Sequence, residues 1–180
     1  MSSLTGGVAV VEDLPPGPPS ALPGASINAT LAIRSGQSEA NAEIQSFAVT
    51  CVELADGSAE GIPEHVMTLR QMHTGNALQL RRLLPMIEHI QQYSDEDWIS
   101  AVRTAISSIA EMGLTLADGT AAQGSLASGM RNGNLSVTMS LSGAQDLAAR
   151  AGIPAGREHL ANLILRYRAT SDYLERIKTN

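Results

Sequence analysis

The sequence predicts an α+β protein that is predominantly α: a bundle of about five to six helices with a small two-stranded β element and an extended N-terminal arm. Three observations carry that expectation. Most of the chain beyond residue 38 repeats its apolar residues every three or four positions, as a helix with one buried face must. Two short segments alternate apolar and polar residues instead, the period of a half-buried strand. The first 25 residues hold five of the eight prolines, and no helix runs through such a stretch.

Residues 1–25 therefore read as an arm of extended, polyproline-like chain, and residues 26–180 as a single domain. An arm of this composition buries too little apolar surface to fold alone and gains order by docking, here on a neighbouring copy. Residues 26–34 set Ile27, Ala29, Leu31 and Ile33 against Asn28, Thr30, Ala32 and Arg34, which predicts a strand. From Ser38 the spacing of Ile44, Phe47, Cys51 and Val52 predicts a helix that stops at Asp56-Gly57. A second helix starts at Pro63, whose missing N–H costs nothing at a first helical position. Gly75 and Asn76 interrupt it. Leu80, Leu83, Leu84, Ile87 and Ile90 continue the stripe, with a kink or division at Pro85. Ser94 caps the next helix, and Asp95, Glu96 and Asp97 fill its first turn, where the helix dipole favours anions. Ile99, Val102, Ile106 and Ile109 form its apolar face, and Gly113 lies near its end.

Residues 117–134 read as a long Gly-rich loop, with Gly119, Gly124, Gly129 and Gly133 among small residues. Leu135, Val137, Met139 and Leu141 then alternate with Ser136, Thr138, Ser140 and Ser142. This predicts a second strand over 135–142, matched in length to 26–34 and paired with it or with a neighbouring chain. Ser142 and Gln145 resemble a capping box opening a helix to Arg150. Leu160, Ile164, Tyr167, Ser171, Leu174 and Ile177 mark a long final helix.

Composition narrows the function. A net charge of -6 and a pI near 5.1 argue against a dedicated nucleic-acid binder wrapped in a basic field. Cys51 is the only cysteine, so no internal disulfide forms and a reducing compartment is expected, cytoplasm or virion. Neither a signal-peptide core nor an apolar run of membrane-spanning length is present, which predicts no membrane partner. Charged residues amount to 17%, against roughly 25% in typical soluble domains. A surface short of charge suits a protein that covers part of itself with partners.

Residue types with chemical potential occur without the spacing that chemistry needs. Glu64-His65, Glu88-His89 and Glu158-His159 are adjacent pairs, and adjacent helical residues point about 100° apart. The two-turn spacing of His65 and His73 holds no ion without further ligands. Ser125 and Ser128 lack the glycine frame of a nucleophile elbow, and the glycines lack phosphate-loop spacing. No catalytic residue, metal ligand, cofactor or small-molecule substrate is therefore expected, and the chain reads as a non-enzyme. The segment from Gln145 to Ile153 resembles the first helix and turn of a helix-turn-helix, giving an alternative reading as a DNA-binding regulator through residues 145–165. Beyond Gly152 the pattern departs: Pro154 and Gly156 disrupt the recognition helix, and Glu158 stands where it needs an aliphatic residue.

Charge is uneven. Arg150, Arg157, Arg166, Arg168, Arg176 and Lys178 outnumber the acids of residues 143–180, and Arg81-Arg82 forms a second basic point. Lys178 is the only lysine, so nearly all basic side chains are the planar guanidinium fork that suits phosphates and carboxylates. In organisation (an extended arm, a small helical bundle, acidic overall charge, a few arginines) the chain resembles coat proteins of rod-shaped or filamentous RNA viruses. That resemblance implies a self-assembling subunit, homo-oligomeric or filamentous, with RNA as a partner. Arg81, Arg82, Arg150 and Arg157, beside predicted helix starts or breaks, are the candidates for phosphate contacts. A subunit of a bacterial surface or secretion filament shares the same organisation.

Overall fold

The computed structural model describes residues 50–53 and 58–178. The arm at 1–25, the strand at 26–34 and the first half of the helix expected from Ser38 lie outside the described residues. Within them the chain forms two short strands, β1 (Cys51–Glu53) and β2 (Ala59–Gly61), and four helices. These are α1 (Pro63–Ile90), α2 (Asp95–Glu111), α3 (Gly124–Ala151) and α4 (Ile153–Lys178).

Apolar spacing explains each helix. In α1, His73, Asn76, Leu80, Leu83, Ile87 and Ile90 are buried at alternating steps of three and four. In α2, Trp98, Val102, Ala105 and Ile109 follow the same rule. So do Val137, Leu141, Ala144 and Ala148 in α3, and Leu160, Ile164, Tyr167, Ser171 and Leu174 in α4. This heptad pattern keeps one seam of each helix facing its neighbours. Pro63 opens α1 as expected. Ser94 caps α2 by accepting a hydrogen bond from the backbone N–H of Asp97 at 3.3 Å.

α1 and α3 run parallel and share the largest interface, with Gly129 beside Met72 and Gly133 beside Asn76 and Gln79. α2 and α4 pack antiparallel against this central pair. Gln79 bonds both Asn134 of α3 (2.6 Å) and the Met112 sulfur at the end of α2 (3.3 Å). At the opposite end of the bundle Trp98 lies fully buried beside Gly156 of α4. Tyr167 of α4 buries its ring and satisfies its hydroxyl on α3, donating to the Ser136 carbonyl at 2.9 Å, with the Ser140 hydroxyl also in bonding contact.

Four helices stand where five to six were expected, and the differences share a cause. Residues 135–142 are a stretch of α3, not a strand. Their alternation is real, but α3 buries only Val137 and Leu141 and exposes Leu135 and Met139. Eight residues are too few to separate period two from period 3.6 when every apolar residue is assigned inward. Residues 124–134 are also helical, so the Gly-rich loop shrinks to residues 112–123. The capping box at Ser142 lies inside the helix it was expected to open. Gly75 and Asn76 do not interrupt α1, and Pro85 sits within it on the exposed side, where the carbonyl it deprives of a partner can meet water. The expected helix at Cys51 and Val52 is β1 instead, antiparallel to β2 in the register Cys51↔Gly61, Val52↔Glu60, Glu53↔Ala59. The small two-stranded element thus exists, but neither of its strands is one the alternation predicted. Gly61, at φ 136°, turns the chain from β2 into α1 against the Thr50 carbonyl, where a side chain has no room.

Candidate functional site

Arg81 and Arg82 sit mid-way along α1 and point to different sides of it, as neighbours 100° apart must. Arg81 reaches Ser171 of α4, its Nε 3.3 Å from the hydroxyl. Arg82 reaches the loop after α2, donating from Nη1 to the Gly113 carbonyl at 3.0 Å and lying 3.5 Å from the Thr115 hydroxyl. Both tie elements of the bundle together.

Arg157 is the most engaged of the four. Near the start of α4, it donates from Nη1 to the Gln91 carbonyl at 2.9 Å and from Nη2 to the Tyr93 carbonyl, and pairs through Nε with Asp95 at 3.0 Å. Its own carbonyl accepts from Gln91 Nε2 at 2.9 Å, and its guanidinium lies 5.8 Å from the centre of the Trp98 ring. It therefore satisfies carbonyls of the turn that follows α1 and clasps that turn to α4. Arg150, in the last turn of α3, is exposed and has no bonding partner among the described residues. Arg103, Arg131 and Arg166 are exposed and unpartnered in the same sense. The structure thus leaves Arg150 available to an anion and engages Arg81, Arg82 and Arg157 within the chain. About ten residues of α1 separate the Arg81-Arg82 pair from the Arg157 clasp, roughly 15 Å along the axis, so the four form no single cluster.

Residues 145–165 are the closed end of an antiparallel hairpin. The link between α3 and α4 is Gly152 alone, at φ 92°, and Gly156 packs against Ala148 and the Ala144 carbonyl. A helix-turn-helix crosses its two helices at about 90–120° through a turn of several residues. The geometry here is different: α3 and α4 pack side by side from Gly152 onward, with Gly156 against Ala148 and Tyr167 against Ser136 and Ser140.

Glu88 and His89 turn to different partners: Glu88 pairs with Arg168 at 2.8 Å, and His89 meets the edge of the Tyr93 ring at 5.3 Å. The structure does join one Glu-His pair that spacing could not reveal. Glu53 on β1 and His73 on α1 bring a carboxylate and an imidazole into direct, largely buried contact, which ties the hairpin to the helix. The only prior sign was His73 at a seam position, one heptad before the first buried leucine, Leu80. Among the described residues no three His, Cys, Asp or Glu side chains gather as a metal site would need, and no helix is long and apolar enough to cross a membrane.

An open groove of about 890 Å³ lies along the N-terminal half of α1. Ala59 and Gly61 form one wall, Leu116, Ala121 and Ala122 the other, and the N-terminal half of α1 the floor. Val66, Met67 and Leu126 make it apolar, while Arg70, Gln71 and Thr74 edge it with polar groups. The far wall is shaped by a tight turn, with Leu116 N–H to the Thr120 carbonyl (2.8 Å) and Gly119 N–H to the Leu116 carbonyl (3.0 Å). Gly119 takes φ 84° there, as the left-handed position of such a turn requires.

Comparison with known proteins returns no match: no family model, no curated protein and no solved structure is significantly similar to this chain.

Proposed function

We propose that the chain is a non-enzymatic structural subunit that assembles with copies of itself. One observation carries the reading: the outer faces of α3 and α4 present large apolar side chains to solvent. Leu135 and Met139, one turn apart on α3, are 60% and 66% exposed, and Leu165 on α4 is 61% exposed. The contacts of Tyr167 with Ser136 and Ser140 put Met139 and Leu165 at the same height of the bundle. Neighbouring exposed apolar residues of this kind mark surfaces that proteins cover by association. The low charge supports the same reading.

The finer proposal is a helical coat enclosing RNA, with each subunit adding a few weak phosphate contacts that sum along a filament. Arg103, Arg131, Arg150 and Arg166 are the arginines best supported for that role, since they are exposed and have no bonding partner among the described residues. Light scattering and electron microscopy of the purified chain test the first proposal, and the 260/280 nm absorbance ratio of the particles tests the second. Met139→Asp should lower the assembly state while leaving the melting temperature within a degree or two of wild type, because about two-thirds of its surface already faces solvent. Val137→Asp, two residues away and fully buried, should unfold it. Equal assembly by Met139→Asp and wild type would remove the α3 face from the interface.

A further inference from the structure

The groove wall formed by β2 is the edge of a sheet. Ile62 N–H donates to the Thr50 carbonyl at 2.9 Å, which makes 50/62 and, two residues on, 52/60 the hydrogen-bonded pairs of the ladder. Ala59 and Gly61 alternate with these, so their N–H and C=O groups face away from β1. Both residues line the groove. Among the described residues nothing pairs with that edge. A strand edge over an apolar floor is a template for one more strand: main-chain hydrogen bonds hold it and alternate side chains fill the cleft.

We propose that residues 26–34 of the same chain supply that strand, pairing with β2 and laying Leu31 and Ile33 into the groove. Length, position and composition select this occupant. The preceding chain joins the described structure at Thr50, which is bonded to Ile62 and packs against Gly61 at the groove rim. Residues 35–49 extend to at most about 50 Å, ample for a return from Thr50 to the far side of β2. A tether of that length places the segment near β2 at millimolar effective concentration, which favours the same chain over a neighbour. Residues 1–25 are unsuited to the edge, because prolines cannot donate to a ladder. Residues 26–34 contain no proline and alternate Leu31 and Ile33 with Thr30, Ala32 and Arg34, matching an apolar floor with an open side. At about 3.3 Å per residue, three or four of the nine residues suffice to cover β2.

Residue-resolved hydrogen exchange on the full-length chain tests this, because the two faces of β2 report separately. Glu60 N–H points to β1 and is protected in any case. Ala59 N–H points to the groove and is protected only when a strand is added. Ala59 should exchange about 100-fold more slowly than its unstructured rate. The substitution Leu31→Pro, outside the bundle, should abolish that protection and leave Glu60 unchanged. Unprotected Ala59 in the wild type, or protection that survives Leu31→Pro, overturns the proposal. Protection that fades on dilution shows that a neighbouring copy supplies the strand and overturns it equally.

Discussion

From Leu80 to Ile90, α1 buries five aliphatic side chains, and from His73 to Gln79 the same helix buries an imidazole, two amides, a glycine and an alanine. The C-terminal half meets Trp98, Val102, Leu141 and Leu160 in one apolar cluster. The N-terminal half meets the backbone of α3 almost directly. A Cβ on Gly75 would lie 2.0 Å from the Leu126 carbonyl oxygen, and one on Gly129 would lie 1.9 Å from that of Met72. One half is held by apolar area, which tolerates repacking; the other is held by shape and by polar bonds, which do not. The buried Glu53–His73 pair, the Gln79–Asn134 bond and the groove all belong to the second half.

This contrast predicts the largest effect at Gly129. In Gly129→Ala the added methyl meets backbone rather than a flexible side chain, so α1 and α3 must separate along their whole upper contact. The cost should exceed the ~1–3 kcal/mol of ordinary overpacking, and the variant should show no cooperative thermal unfolding transition. Gly143→Ala is the matched control, since its nearest neighbour would be His159 at 3.8 Å. There the better helix propensity of alanine should raise stability by up to about 1 kcal/mol. If both variants melt alike, glycine at 129 is not needed for close approach.

The apolar half should respond by degree. Leu83→Ala removes a fully buried side chain from the cluster and should cost about 2–5 kcal/mol, with a folded, cooperative protein remaining. For a chain of this length that corresponds to a fall of roughly 5–15 °C in Tm, readable by calorimetry. A loss of cooperativity here as complete as at Gly129 would erase the distinction between the halves.

The same contrast decides what was legible in the sequence. The apolar half of α1, the cap at Ser94 and the start at Pro63 were readable, because aliphatic spacing and capping residues act locally. The polar half was not. Gly75, Gly129 and Gly133 read as breaks and loop, since glycine's helix cost is local while its advantage at a helix–helix contact depends on a residue some 55 positions away. Asn76 read as an interruption and Asn134 as the end of a loop, yet both lie on heptad seams. Trp98, the largest fully buried side chain, follows three acidic residues and stands outside the stripe of Ile99, Val102, Ile106 and Ile109 that the spacing predicts. Of the candidate phosphate contacts, position beside a helix break was visible at Arg157, but helix ends also offer carbonyls to a guanidinium, and the chain's own carbonyls occupy it.

The smallest effect is expected at the turn on the far wall of the groove. Asp118 Oδ1 accepts from the Thr120 hydroxyl at 2.7 Å and from the Thr120 backbone N–H at 3.0 Å. These two bonds, the hydroxyl first, favour the ionised carboxyl and hold its pKa below the ordinary 3.8. A lowered folded-state pKa means that the bonds add stability above the ordinary value and lose it as pH falls through the lowered one. The carboxylate is fully exposed, so global melting will not register the change, and the local probe is an NMR titration of the Asp118 carboxyl carbon. Its midpoint should fall below 3.8, and the Thr120 amide resonance should titrate with it. Thr120→Val keeps the backbone bond and removes the hydroxyl, so the midpoint should move only part of the way back. A wild-type midpoint at the ordinary value would mean that the turn, and with it the wall carrying Leu116 and Ala121, is looser in solution than the packed half of the molecule by more than the comparison of the two halves of α1 implies.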